Sequence, residues 1–331
     1  MRDRMLQLNQ QKDELVKELF IDTGDEDYVI ARWCLLNRLS RQFFWNAAQS
    51  IEKYLKAALL LNGYTSRCYK HHLVSLFKEV SRVVGDLIPQ QLEAPKQVKL
   101  FADHRELWGD LATIEFVSRI DKHGDPSNRY NFFGVELAAS DLYKLDQVVF
   151  ALRNIAVKLD DTVEARYLTD PTNVGKTYLE LIHEQPNRQL FPFAKFLKKS
   201  KETTRILYDA ASENNFPFAP NYNHRELQLT IHNSVSRLEI LFSKTMRADS
   251  TAILNWAERN IQFSDEDLEA LDKHFPNRLF RRKKKGSMDQ GSTKSKMTLT
   301  NRCTGRGKTV RHAGNHRVKT KNHGEKNGIY G

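Results

Sequence analysis

The chain has 331 residues, of which 40% are hydrophobic, and a formal net charge of +11. That length is compatible with about two domains, and the apolar fraction is sufficient for a folded core. No run of 18 apolar residues occurs, so no helical membrane span is expected.

Residues 1–24 open with MRDRMLQLNQQKDELVKEL, which is charged throughout and lacks the apolar segment of a secretory leader. An exposed helix and a cytoplasmic location are the expectations. Cys34, Cys68 and Cys303 are odd in number and widely spaced, which fits a reducing compartment and no zinc-site spacing. Asp22-Thr23-Gly24-Asp25 is rich in turn formers and predicts a break. From Asp27 to Trp45 the stripe Tyr28, Ala31, Leu35, Leu36, Leu39 and Phe43 has helical spacing. Asn46 either bends the chain into a second helix or lies within a continuous one. That second helix ends at Gly63, a residue that adopts left-handed conformations at little cost.

A third helix is expected from about His72 to Val84, stopped by Gly85 and Pro89. Another is expected from about Gln90 to Asp103, running on toward Val117. The turn formers of Asp121 to Asn131 predict a loop. Ala139 to Leu159 reads as a long amphipathic helix with Leu142, Leu145, Val148, Val149, Leu152 and Ile155 facing inward. Residues 160–173 have the composition of a linker. Residues 161–280 form a second helical region, with helices expected at about 174–184, 194–213, 224–245, 249–260 and 265–275. No convincing strand pairs stand out, and the fold class expected is all-α.

The charge is concentrated at one end. Residues 281–331 hold 15 Lys and Arg against 2 Asp and Glu, a balance of +13; residues 1–280 therefore hold 37 against 39, a balance of −2. The tail begins RRKKK and is poor in apolar residues, so it is expected to be disordered and to bind nucleic acid weakly and non-specifically.

Several patterns bear on chemistry. Gln49, Glu52, Lys53 and Lys56 are spaced to share one face of the helix before Gly63. A Glu52–Lys56 surface ion pair and a charged groove lining are both compatible with that spacing. His71-His72 stands at the start of the next helix, where capping and ligand binding are the alternatives. Asn173-Val174-Gly175-Lys176-Thr177 is not a phosphate loop, because Asp170 stands where the upstream glycine is needed. No His or Cys spacing suggests a metal site, and none suggests a cofactor.

Taken in order, Asp27-Tyr28, Ala31-Arg32, the run Gln49, Glu52, Lys53, Lys56 and Ala57, then Gly63, His71 with Leu73, and Arg129-Tyr130 resemble the HEPN family over residues 25–160. The resemblance implies an antiparallel helical bundle, often dimeric, that binds nucleotide or RNA. Catalytic members of that family are metal-independent endoribonucleases of toxin or defence systems. In these, an Arg steadies the phosphate and a His four to six residues later moves a proton. Arg153-Asn154 resembles the start of that motif, but Lys158, Leu159 and Asp160 follow where the His should be. A lysine, with an ordinary pKa of about 10.4, is a poor base at neutral pH.

Three other Arg–His spacings exist: Arg67–His72, Arg225–His232 and Arg306–His312. Arg225 and His232 are expected to share one face of a helix at a separation of two turns. The function expected is a binding module without the standard dyad. It would use Lys53, Lys56, His71, His72, Arg129 and Arg153 as ligand contacts, with Arg153 alternatively a buried arginine held by a carboxylate. A ribonuclease using Arg153 and Asn154, or Arg225 and His232, is one alternative. A purely structural dimerisation protein is the other.

Overall fold

A computed structural model describes residues 2–98, 108, 111–126, 135–163, 173–190, 202–225, 231–234 and 247–260. Within these, only the backbone is described in 2–6, 202–204, 231–234, 247–251 and 258. The protein is mostly helical. Among the described residues, no helix is long and apolar enough to cross a membrane.

Helix α1 (Arg2–Val16) passes through a π-helical turn (Lys17–Asp22) directly into α2 (Thr23–Leu36), so the break expected at Asp22–Asp25 is absent. The turn formers have other uses there. A Cβ on Gly24 would lie 3.3 Å from the Tyr54 ring, so its missing side chain lets α2 approach the next helix closely. Asp25 points into the interior and is 7% exposed. Most of the described side chains of α1 are exposed.

The interruption comes later, at Asn37–Leu39, where Arg38 takes a φ of 60°. Helix α3 then runs unbroken from Ser40 to Leu61. Asn46 therefore lies inside α3, its amide donating to the Gln42 carbonyl at 2.7 Å. Helix α4 (Leu73–Val84) ends at Gly85, whose φ of 64° explains the glycine.

The helix expected at about Gln90 is replaced by a two-residue strand, β1 (Gln91–Leu92), antiparallel to β2 (Leu111–Ala112). Helix α5 (Thr113–Gly124) follows β2 directly, and the Ala112 N–H donates to the Glu115 carboxylate. Strand β3 (Val135–Ala138) alternates between buried and exposed positions at Val135, Glu136 and Leu137. It pairs with β4 (Ile231–Ser234), where a helix was expected across 224–245. β-Branched Ile231 suits a strand, and the buried face of β3 gives it a template.

Helix α6 (Ser140–Ile155) is buried along nearly its whole length. A helix enclosed on all sides belongs at the centre of a fold. Short α7 (Tyr178–Glu184) starts with a capping box: the Thr177 hydroxyl accepts from the Glu180 N–H, and the Glu180 carboxylate accepts from the Thr177 N–H. Helix α8 (Glu202–Ser212) packs on α2, and α9 spans Arg247–Asn260. Leu181, Ile182, Ala210, Ala211 and Phe218 join the same buried cluster as Tyr28, Leu55 and Leu145. The expected helix at 265–275 and the tail at 281–331 lie outside the described residues.

Candidate functional site

The centre of the bundle holds two linked polar clusters rather than a purely apolar core. Arg153 on α6 is 8% exposed and forks onto the Asp25 carboxylate of α2, with Nε donating to Oδ1 at 2.8 Å and Nη2 to Oδ2 at 2.9 Å. The Tyr54 hydroxyl of α3 donates to the same carboxylate at 2.6 Å. Burial disfavours the Arg153 cation, but its bonds to Asp25 outweigh that and hold the guanidinium above its ordinary pKa. Burial also pushes the Tyr54 hydroxyl well above 10, so it remains a donor.

One helical turn further along α2, Arg32 is fully buried and pairs with Asp146 of α6. Its Nε donates to the Ala210 carbonyl at 2.8 Å and its Nη2 to the Glu213 carbonyl. A single guanidinium thus joins α2 and α6 to carbonyls at the end of α8, where the last turn leaves acceptors without helical partners. Tyr28 donates to Asp146 at 2.5 Å and accepts from the Asn215 amide at 3.1 Å.

Asn154, beside Arg153, is also engaged in holding the chain together. Its amide donates to the Arg188 carbonyl at 3.1 Å, and its oxygen accepts from the Leu190 N–H at 3.3 Å. Lys158 pairs with Asp13 of α1.

The cations of the α3 face are each matched by a carboxylate. Lys53 donates to Asp27 at 2.6 Å, and Lys56 to Glu52 at 2.6 Å. Glu52, 7% exposed, also meets His71 Nδ1 at 3.0 Å, so Lys56 and His71 converge on one buried acid. A carboxylate only accepts, so Nδ1 carries the proton and Nε2 faces outward on a side chain that is 81% exposed. Lys56 and His71 therefore come together, whereas Arg153 stays inside with Asp25; the three do not form one open cleft. His72 is exposed at the N-terminus of α4 and makes no side-chain cap. That end is capped from α5, where Asp121 accepts from the Val74 N–H at 3.4 Å. Arg129 lies outside the described residues.

Arg225 and His232 do not share a helix face. His232 lies on β4 opposite Leu137, and Arg225 stands 86% exposed beside Glu213 at 3.8 Å. Arg225 edges a groove of about 400 Å³ between α2 and α8, lined by Trp33, Leu36 and Ile206.

Two further features escaped the sequence reading. The α3–α4 connection presents Arg67, Lys70, His71 and His72 to solvent. Among the described residues, the Arg67 and Lys70 side chains have no hydrogen-bond or ion-pair partner. Lys70 has φ 50° and ψ −110°, a conformation that residues with a Cβ seldom adopt. From Lys53 to Lys78 the chain contains five Lys or Arg and no Asp or Glu. A charge count along 53–78 would have found this run. The second feature is a pocket of about 400 Å³ at the other end of α3, beside Trp45 and His123.

Among the described residues, no group of three His, Cys, Asp or Glu side chains is placed to hold a metal ion. Compared with protein-family models, curated proteins and solved structures, the chain finds no match.

Proposed function

We propose that this chain is a HEPN-like, non-catalytic helical module that binds nucleotide or RNA through phosphate contacts at the α3–α4 connection. The observation that carries this reading is a contrast in charge compensation. Arg32, Lys53, Lys56 and Arg153 each sit against a carboxylate, while Arg67 and Lys70 stand open in an acid-free stretch. Uncompensated lysines and arginines on one face are what a phosphate backbone recruits. His71 adds an outward Nε2, and the tail from Arg281 adds non-specific affinity for the same polyanions.

Ribonuclease chemistry without a metal needs an anion-steadying cation and a proton carrier at one phosphate. Arg153 is committed to Asp25, and Asn154 to the 188–190 backbone. The apolar groove at Trp33 and Ile206 favours a second reading, an interaction protein that engages no nucleic acid.

The test is incubation of the full chain with mixed-sequence RNA in EDTA, followed by gel and filter-binding readouts. Binding without cleavage is expected. Cleavage abolished by Arg153→Ala, in a variant that remains folded, would overturn the non-catalytic reading. Absence of both binding and cleavage would leave the interaction reading.

A further inference from the structure

We infer that the pocket where the start of α3 meets the end of α5 is a binding site for a small ligand that joins a planar aromatic ring to an anionic group. The site lies at the far end of α3 from the α3–α4 connection. Arg41 and Asn62 are 21 residues apart along that helix, about 30 Å at a rise of 1.5 Å per residue. It is therefore independent of the phosphate-binding face proposed above.

A cavity of about 400 Å³ opens there, within the ~300–1,000 Å³ range typical of small-molecule sites. Its walls are Arg41, Gln42 and Trp45 from α3, with His123, Gly124 and Asp125 from the end of α5. Gly124 explains how the two helices come close enough to make the pocket. A Cβ there would lie 2.6 Å from both the Ala48 Cβ and the Phe44 carbonyl oxygen. The α5 end therefore rests on the α3 backbone, bringing His123 against the Phe44 ring with centroids 5.0 Å apart.

The side chains supplied by α3 are uncommitted. Among the described residues, the Arg41 guanidinium, the Gln42 amide and the Trp45 indole have no hydrogen-bond, ion-pair or ring partner. This distinguishes Arg41 from the arginines of the bundle interior, which are paired. Arg41 and Trp45 are one turn apart on one helix face, so a ring lying on the indole would bring an attached anionic group near the guanidinium. A guanidinium presents a planar fork of donors that matches a carboxylate or phosphate. Gln42 and Asp125 offer an amide and an acceptor to polar atoms on the ring edge. Burial, reinforced by the positive charges of Arg119 and Lys122, pulls His123 down to about 4, so the imidazole is neutral at pH 7 and adds no competing charge.

The anionic group has two chemical sources, a phosphate or a carboxylate, and calorimetric titration of the full chain separates them. The probes are adenosine and guanosine monophosphates, indole-3-acetate and inorganic phosphate alone. The expected result is saturable binding of a ring-bearing anion and none of inorganic phosphate. Arg41→Ala and Trp45→Ala should each weaken that binding at least tenfold, and Trp45→Phe should restore most of it. Arg67→Glu/Lys70→Glu should leave it unchanged. The inference is overturned if no ring-bearing probe binds, if Arg41→Ala and Trp45→Ala bind as wild type does, or if the Arg67/Lys70 variant alone abolishes binding.

Discussion

Replacing Arg153 by alanine is expected to damage the fold rather than any chemistry. Arg153 and Asp25 are 8% and 7% exposed, and two parallel hydrogen bonds join them. Removing one partner of such a pair strands a buried carboxylate, which costs about 3–5 kcal/mol. An exposed pair costs far less, about 0.2–1 kcal/mol. Arg82 with Glu79 provides that comparison in the same molecule, with the arginine side chain 62% exposed. With a urea slope of about 2 kcal/mol per molar, Arg153→Ala should lower the unfolding midpoint by about 2 M, and Arg82→Ala by under about 0.5 M. The double replacement Asp25→Asn with Arg153→Met removes the stranded charge and keeps an acceptor for Tyr54, so it should be more stable than Arg153→Ala. Urea unfolding followed by circular dichroism measures all four proteins. Equal midpoints for Arg153→Ala and Arg82→Ala would refute the reasoning.

Three further outcomes follow from the same geometry. Arg32→Met should cost about 3–5 kcal/mol by leaving Asp146 and the α8 carbonyls without their donor, read as a drop in urea midpoint similar to that of Arg153→Ala. Gly124→Ala should destabilise by about 1–3 kcal/mol despite alanine's better helix propensity, because the added methyl meets the Phe44 carbonyl oxygen; chemical denaturation again reads it. His123, pulled from 6.5 to about 4, should titrate near 4 by imidazole NMR. As pH falls below 6.5, the unfolded chain takes a proton that the folded chain refuses, so stability is lost progressively down to about pH 4. With the shift discounted for partial exposure of the ring, wild type should lose about 1–2 kcal/mol more than His123→Gln across that window.

The helical class was legible because its signal is local. Val80 and Val84 recur at the helical period, and Gly85 stops α4 where a left-handed residue is needed. The errors arose where a local signal was put to a long-range use. Gly24 and Asp25 look like a turn, yet they serve a helix contact and a partner 128 residues away. β4 pairs with a strand almost a hundred residues earlier, so its own sequence could not declare it. Glu52 was visible as a partner for Lys56 at i, i+4, whereas its bond to His71 depends on how α4 folds back. Trp45 and Gly124 each look unremarkable in sequence, and only the crossing of α3 and α5 puts them at one pocket.

The central claim concerns where phosphate is met, and reversing charge at the α3–α4 connection tests it most directly. Fluorescence anisotropy of a labelled single-stranded RNA should be recorded over a range of salt. The proteins are the full chain, Arg67→Glu/Lys70→Glu, and a variant with Arg281, Arg282, Lys283, Lys284 and Lys285 all changed to Gln. The account predicts that the Arg67/Lys70 variant binds at least tenfold more weakly and that its salt slope falls by about 2, roughly 1 for each lost phosphate contact. Affinity and slope equal to wild type in that variant, with loss confined to the tail variant, would contradict it.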